Sequence, residues 1–511
     1  MEPVKRSEQG GTFFGTPGSM HTLQARIQQS KGYRWGLLSI IMVGTFMAVL
    51  DSTIINVGMP TIMSSFHINV ASAEWIITAY MLTMTLMLPT AGWLADKYGN
   101  KKVYLAGLAV FTLGSFLCGR SSTEPFLVVS RAIQGIGGGT VQALGLAIIT
   151  REFPLRQRSL ALGIWSVASA ASVSLGPMLG GYIIDHFHWT VMFDINVPIG
   201  IAGLLAGILI QKEWKAVKMG PFDWIGFISA ALFLPVTLFA LTRGYSGNDP
   251  AGWASPIVLG AFFIAAVSLA VFIRTELKHP YPLLDLRLLK DRNFGTAMLM
   301  LVIFGIGLFG GTYLLPIYMQ QGLGYTALAA GAVFLPVGII QGITSAFTGW
   351  VNRRIGALTL AVTGILILTL SFWLMGGFSA ETSRSHIITV LCFRGLGMGL
   401  TFAPLNVFAL RNLKDRQMAN ASGISNSLRQ LSGSFSIALL TAILTVRVAH
   451  HTASGISATD ALIAGVTDDF RITCFMMLAS LLPAVWYALK RKKKLSDQKK
   501  NTPSPPTVLD S

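Results

Sequence analysis

Leu50-Asp51-Ser52-Thr53-Ile54-Ile55-Asn56-Val57-Gly58-Met59-Pro60 closes an apolar run that opens at Trp35 and carries a single charge, Asp51. A run of more than about 18 apolar residues is long enough to cross a bilayer as a helix. A carboxylate near the middle of such a span costs roughly 2.5–3.5 kcal/mol even on insertion scales, so it should face protein or a wet cavity. There it is either ion-paired or able to take up a proton. The stretch therefore suggests a membrane helix with a proton-handling acid.

The totals agree with a membrane protein. Of 511 residues, 52% are hydrophobic and 12% charged, half the roughly 25% charge of a soluble domain. A net charge of +17 would suggest nucleic acid in a soluble protein, but here the basic residues follow a topological pattern instead. Cys118, Cys392 and Cys474 are far apart, so neither a disulfide framework nor a metal knuckle is indicated. The first 34 residues are polar and basic, and the span that follows is too long for a signal peptide.

About fourteen runs have the length a bilayer needs: 35–60, 73–95, 103–120, 126–149, 159–183, 191–211, 222–242, 254–274, 295–319, 328–350, 357–377, 387–410, 422–446 and 470–489. Lysine and arginine concentrate in alternate loops, as Lys97, Lys101 and Lys102, then Arg151, Arg156 and Arg158, then Lys212, Lys215 and Lys218. Lys278, Arg287, Lys290 and Arg292, then Arg353 and Arg354, then Arg411, Lys414 and Arg416 continue the series. The intervening loops hold only Arg120, Arg243, Arg384 and Arg447. Cytosolic loops are the basic ones, so both ends of the chain are expected in the cytosol.

The chain repeats itself. Gly92-Trp93-Leu94-Ala95-Asp96-Lys97-Tyr98-Gly99 returns as Gly349-Trp350-Val351-Asn352-Arg353-Arg354-Ile355-Gly356, an offset of 349 − 92 = 257. Arg131 before Gly135, Gly137 and Gly139 returns as Arg394 before Gly395, Gly397 and Gly399, an offset of 394 − 131 = 263. Arg156-Gln157 returns as Arg416-Gln417. Two related halves of six spans follow, with 222–242 and 254–274 inserted between them. The expected fold is an all-α polytopic membrane protein with two pseudo-symmetric bundles, 35–211 and 294–489. Residues 212–293 hold the inserted pair, 1–34 form a cytosolic tail, and 490–511 form a basic disordered tail.

These motifs resemble the major facilitator superfamily, and within it the fourteen-span drug:proton antiporters of the EmrB/QacA type. Leu50–Val57 is similar to that branch's first-span signature, and Gly92–Lys102 to the superfamily's loop between spans two and three. Arg131-Ala132-Ile133-Gln134-Gly135 resembles the fourth-span motif, and Gly176-Pro177-Met178-Leu179-Gly180-Gly181 the fifth-span antiporter motif. Phe193-Asp194-Ile195-Asn196-Val197-Pro198-Ile199-Gly200 is similar to the start of the sixth span. Departures are Asn352, where the repeated loop would carry an acid, and Asp194, where an apolar residue is usual. The outer loop before the last span reads as about 20 residues.

The resemblance implies a secondary exporter of lipophilic or cationic drugs in a bacterial inner membrane, working by alternating access. Its partners would be membrane lipid, drugs and protons, with a periplasmic adaptor and outer-membrane duct used by some relatives and no role for nucleic acid. A narrower cargo, such as one metabolite, a fatty acid or a bile-acid-like amphiphile, is the alternative. No G-x-x-x-x-G-K-[ST] phosphate loop is present, so the proton gradient replaces a cofactor or ATP as the energy source. One proton crossing 100 mV supplies about 2.3 kcal/mol, enough for a roughly fifty-fold gradient. A membrane enzyme is disfavoured, since no span clusters His, Cys or paired acids at catalytic or ligand spacing. A transport-dead sensor is the third class, disfavoured by the intact acid and glycines.

Asp51 lies sixteen residues past Trp35, roughly 24 Å into its span, and Arg131 lies five residues, roughly 8 Å, into a span descending from the outer side. The two are expected to pair, with protonation of Asp51 alternating with drug occupancy; a static ion pair is the plainer reading. Gly92, Asp96, Gly99, Lys101 and Lys102 would form a cytosolic gate. Its glycines allow close helix approach, and Asp96 would cap the next helix or pair across the halves. Gly176 and Gly180 flank Pro177, a spacing that lets helix backbones touch. The family associates this motif with export and with sealing one side of the cavity. Tyr80, Met81, Met84, Gln134, Gln142, Phe304, Phe309, Tyr313 and Gln341 lie at pocket depth, where methionine and flat aromatics suit a promiscuous site. Each is equally suited to packing. Arg394 and Arg429 are expected in structural pairs, Asp194 as a helix cap or secondary proton site, and His450-His451 in an outer loop without a metal partner.

Overall fold

In the computed structural model the apolar runs form helices, and no strand occurs among the described residues. These are residues 30, 32–214, 220–245, 251–413 and 415–490. Both tails beyond them, and Lys215, Lys218 and Lys414, lie outside the described residues, as do the side chains of Arg156, Arg158 and Arg416.

The N-terminal bundle comprises α1 (Tyr33–Phe66), α2 (Val70–Tyr98), α3 (Asn100–Gly119), α4 (Glu124–Glu152), α5 (Leu155–His186) and α6 (Val191–Ile210). The inserted pair is α7 (Trp224–Tyr245) and α8 (Pro256–Lys278). The second bundle comprises α9 (Arg292–Gly322), α10 (Ala327–Ile355), α11 (Ala357–Met375), α12 (Arg384–Leu410), α13 (Asp415–Ala453) and α14 (Ala458–Lys490). Thirteen helices are long and apolar enough to cross a membrane among the described residues. With α5, which must carry the chain back to the outer side between α4 and α6, the spans number fourteen.

The helices overrun the apolar windows. At 1.5 Å per residue the 34 residues of α1 extend about 50 Å, well beyond a ~30 Å hydrocarbon core. The largest difference is at the end of the chain. α14 begins at Ala458, so residues 454–457 replace the expected loop of about 20 residues. His450 and His451 sit in the last turn of α13 rather than in a loop. A hydropathy window stops at polar residues such as Asp460 and Asp468, but a helix satisfies its own backbone and can continue past them.

The ends are set locally. Asn69 accepts the Ser72 N–H at 2.9 Å to start α2, and Asp291 accepts the N–H groups of Asn293 (3.0 Å) and Phe294 (2.9 Å) to start α9. The repeat shows in the backbone as well. Gly99 ends α2 at φ 105° and Gly356 ends α10 at φ 86°, conformations that L side chains rarely adopt. The same tight turn therefore separates the second and third spans of each half.

The bundles meet on the outer side of the membrane. A methyl group at Gly181 would strike the backbone of Ala327 and Leu328, and one at Gly331 would strike that of Pro177, so α5 and α10 touch main chain to main chain. Asp185 accepts the N–H groups of Ala327 (3.1 Å) and Leu328 (3.0 Å) across the same seam. Gln320 of α9 donates to the Val57 carbonyl of α1 at 2.8 Å. On the far side α2 packs on α13, where Gly433 admits Met81 and Gln430 lies 3.1 Å from the Met84 sulfur. Helix α7 covers that seam, its Leu238 clustered with Leu82 and Ala438.

Candidate functional site

Asp51 is fully buried, bonded by side chains of α4 and α6, with α2 and α3 joining the network through Arg131 and Gln134. Arg131 of α4 donates through Nη1 to Asp51 Oδ2, forming the expected ion pair. Gln134, one helical turn further on, accepts from Arg131 Nη1 (2.6 Å) and donates to both Asp51 Oδ1 (2.8 Å) and Ser115 Oγ of α3 (2.7 Å). Asn196 of α6 donates to Asp51 Oδ1 at 3.2 Å. Arg131 Nε donates to the Ile76 carbonyl at 3.1 Å, and its guanidinium lies 4.2 Å from the Tyr80 ring centroid. The Tyr80 hydroxyl donates to the Ala48 carbonyl at 3.0 Å. Arg131 Nη2 and Asn196 Oδ1 have no partner among the described residues.

A buried ion pair is worth little by itself but is costly to break from one side, because the remaining charge is left in low dielectric. The pair here is reinforced by amide donors, which hold Asp51 as an acceptor in this conformation. Ser115 and Asn196 had no role assigned from sequence. Asn196 stood inside a recognised motif, whereas nothing in the sequence singled out Ser115.

The glycine motif of α5 lies next to this network. A methyl group at Gly176 would strike Thr53, and one at Gly180 would lie 2.8 Å from Ile54 Cγ1 and 2.9 Å from the Ile54 carbonyl. Gly181 turns to α10 instead, so α5 is clamped between α1 and the other bundle by residues that have no side chain. The gate at the α2–α3 turn is built differently from expectation. The carboxylate at the start of α3 is Glu213, which accepts the Lys101 N–H at 3.0 Å; Asp96 provides no cap. Asp96 has Arg151 of its own bundle as its charged neighbour, because its position on α2 faces α4. Nothing lies within 4 Å of a methyl group built at Gly92, so that glycine makes no close approach in this conformation. Lys101 Nζ donates to the Ile208 carbonyl at 2.6 Å, and Lys102 is exposed.

A small cavity of about 50 Å³ opens between the bundles, beneath the outer seam. Thr53, Asn56 and Val57 of α1 and Pro177 of α5 form one wall; Thr312, Phe334, Val337, Gln341, Arg394 and Met398 form the other. Of the residues expected in the pocket, Gln341 alone lines it. Tyr80, Met81, Met84, Gln134, Phe304 and Tyr313 are buried inside the packing, and Phe309 packs against Gly433. Gln142 has a buried, partnerless Oε1 but does not reach the cavity. Sequence position gives the depth of a residue in the membrane but not which way it faces around its helix.

Arg394 and Arg429, expected in structural pairs, are held by neutral groups. Neither makes an ion pair among the described residues. Arg429 reaches Asn426 Oδ1 at 3.4 Å and lies 5.1 Å from the Phe402 ring. Asp194 pairs with Arg120 at 3.1 Å on a partly exposed surface, a surface contact rather than a cap. His451 lies 3.1 Å from Asp468, which also pairs with Arg471 and Arg447. Among the described residues no group of three metal-ligating side chains occurs.

Two helical bundles around a cavity, closed on one side, with an ion pair inside one bundle, define a membrane carrier. Such a protein is a transporter and not an enzyme. The chain belongs to the major facilitator superfamily, whose family profile matches residues 41–437, and within it to the fourteen-span EmrB/QacA-type branch. It is 31% identical over 431 residues to the multidrug export protein EmrB of Escherichia coli K12, covering 83% of this chain and 84% of that one. The fatty acid resistance protein FarB of Neisseria gonorrhoeae is 32% identical over 422 residues, covering 82% of each. An uncharacterised transporter of the superfamily from Bacillus subtilis, YhcA, is 32% identical over 415 residues, covering 81% of this chain and 77% of that one. Among solved structures, the bacterial homologue of the lysosomal transporter Spinster superposes with a TM-score of 0.62 at 14% identity, covering 92% of this chain and 99% of that one. A D-xylose–proton symporter superposes with a TM-score of 0.61 at 14% identity, covering 87% and 97%. These two likenesses concern the fold. The chain is a multi-pass protein of the bacterial cell membrane.

Proposed function

We propose that this chain is a proton-coupled exporter of lipophilic drugs and toxic compounds, moving them by alternating access in the inner membrane. The bundles 35–211 and 294–489 rock about the cavity, and 212–293 rides with them as an insertion. The observation that carries this reading is the buried pairing of Asp51 with Arg131, placed one helical turn from the cavity wall at Thr53 and Asn56. Opening the α1–α5 contact would hydrate Asp51 and let a proton compete with Arg131 for the carboxylate. Release of that proton to the other side would restore the pair. The proton gradient is the energy source in this scheme, and no cofactor takes part. The relation to EmrB and to other drug exporters supports the cargo class. The test is dye efflux in everted vesicles. Wild-type export should collapse with a protonophore, and Asp51→Asn should equilibrate dye without concentrating it. Uphill movement by Asp51→Asn equal to wild type would refute the scheme.

A periplasmic adaptor and an outer-membrane duct complete the path in this proposal where the host has two membranes. Copurification of an adaptor with the tagged chain tests that part separately.

A further inference from the structure

The repeat between the two halves of the chain breaks at a buried charge. In the first half the guanidinium of Arg131 meets the carboxylate of Asp51. In the second half Arg394 takes the place of Arg131 (394 − 131 = 263), and Thr312 takes the place of Asp51 (312 − 51 = 261). The geometry follows the sequence. Arg394 Nη2 donates to Thr312 Oγ1 and to the Leu308 carbonyl, the latter at 3.1 Å. A threonine thus stands where the first half has an acid, and the guanidinium binds only neutral oxygens.

Arg394 is 2% exposed, and its Nε has no partner among the described residues. It lines the cavity between the bundles, and no acid lines that cavity with it; Thr53, Asn56 and Gln341 supply neutral polar groups and the rest is apolar. Asp51 is on the same helix as Thr53 but is turned into its own bundle and taken up by Arg131, Gln134 and Asn196. A buried cation without its counter-ion is costly, and a guanidinium fork matches a carboxylate in both charge and shape.

We propose that, once the bundles part and widen this space, Arg394 anchors the head group of an amphiphilic monoanion, with an apolar body lying against Phe334, Val337 and Met398. The cavity would then select lipophilic carboxylates or sulfonates above neutral compounds of the same size. This rests on the export reading for what becomes of the bound compound, but not for its binding.

The test uses the full chain in nanodiscs and three probes with one alkyl chain: dodecanoate, dodecanol and dodecyltrimethylammonium. Binding is followed by intrinsic tryptophan fluorescence. The wild type should hold dodecanoate about ten- to hundred-fold more tightly than dodecanol, the span of one charge-assisted hydrogen bond. Arg394→Gln should remove that preference and leave dodecanol binding unchanged. Thr312→Asp rebuilds the pair of the first half, so it should remove the preference with Arg394 still in place. Arg394→Lys should keep part of it. Equal binding of dodecanoate and dodecanol by the wild type, tighter binding of the ammonium, or a preference that survives both Arg394→Gln and Thr312→Asp would overturn the assignment. A lost preference with intact protonophore-sensitive efflux counts against this inference alone. A preserved preference with efflux indifferent to the gradient counts against the export scheme alone.

Discussion

Replacing Asp51 with Asn keeps the shape of the side chain and removes its charge, so the cost can be worked out contact by contact. Asp51 accepts from Arg131 at Oδ2 and from both Gln134 and Asn196 at Oδ1. An asparagine has one oxygen to offer. If that oxygen faces Arg131, its NH₂ group confronts two amide donors, and two charge-assisted hydrogen bonds of about 1.5 kcal/mol or more each are lost. If it faces the amides, its NH₂ group confronts the guanidinium, and a charged hydrogen bond of about 1.5–3 kcal/mol is lost. Either way Arg131 remains buried without a counter-ion, which places the total near 3–5 kcal/mol. The double variant Asp51→Asn/Arg131→Gln removes the stranded charge and should recover much of this loss, because replacing both members of a buried pair is often nearly neutral. Unfolding by SDS in mixed micelles measures all four corners of the cycle. Strict additivity of the two substitutions, to within about 0.5 kcal/mol, would show that Asp51 and Arg131 are not energetically coupled and would refute the reasoning.

Three further outcomes follow from packing and charge. Gly180→Val should force α5 away from Ile54 of α1 at a cost of about 1–3 kcal/mol and open the outer seam, read as new labelling of a cysteine placed at Ala327 by an impermeant thiol reagent; Gly349→Ala, with open space around it, should change neither. Gly99→Ala should cost about 1–3 kcal/mol in backbone strain and more than Gly356→Ala in the same unfolding assay, because Gly99 also faces the Glu213 carboxylate while Gly356 faces open space. Asp194→Asn should leave efflux and stability nearly unchanged, since its Arg120 partner is 56% exposed and surface pairs contribute about 0–1 kcal/mol; a marked loss of uphill export would restore Asp194 as a proton site.

Depth and order along the chain were settled by the residues themselves. A bilayer admits few backbone solutions, so apolar length, the alternation of basic loops and the repeat at offsets of 257–263 were sufficient for fourteen helices, two halves and an inserted pair. The pairing of Asp51 with Arg131 could also be anticipated, because both charges sit at matching depth in spans with little other charge. Direction around each helix was not available from sequence, because it depends on which neighbour a face meets. Packing alone turned Gln134 and Tyr80 away from the cavity toward Asp51 and Arg131, brought in Ser115 and Asn196, and placed Glu213 rather than Asp96 at the start of α3. It also left Arg394 facing the space between the bundles with a threonine where its repeat has an acid.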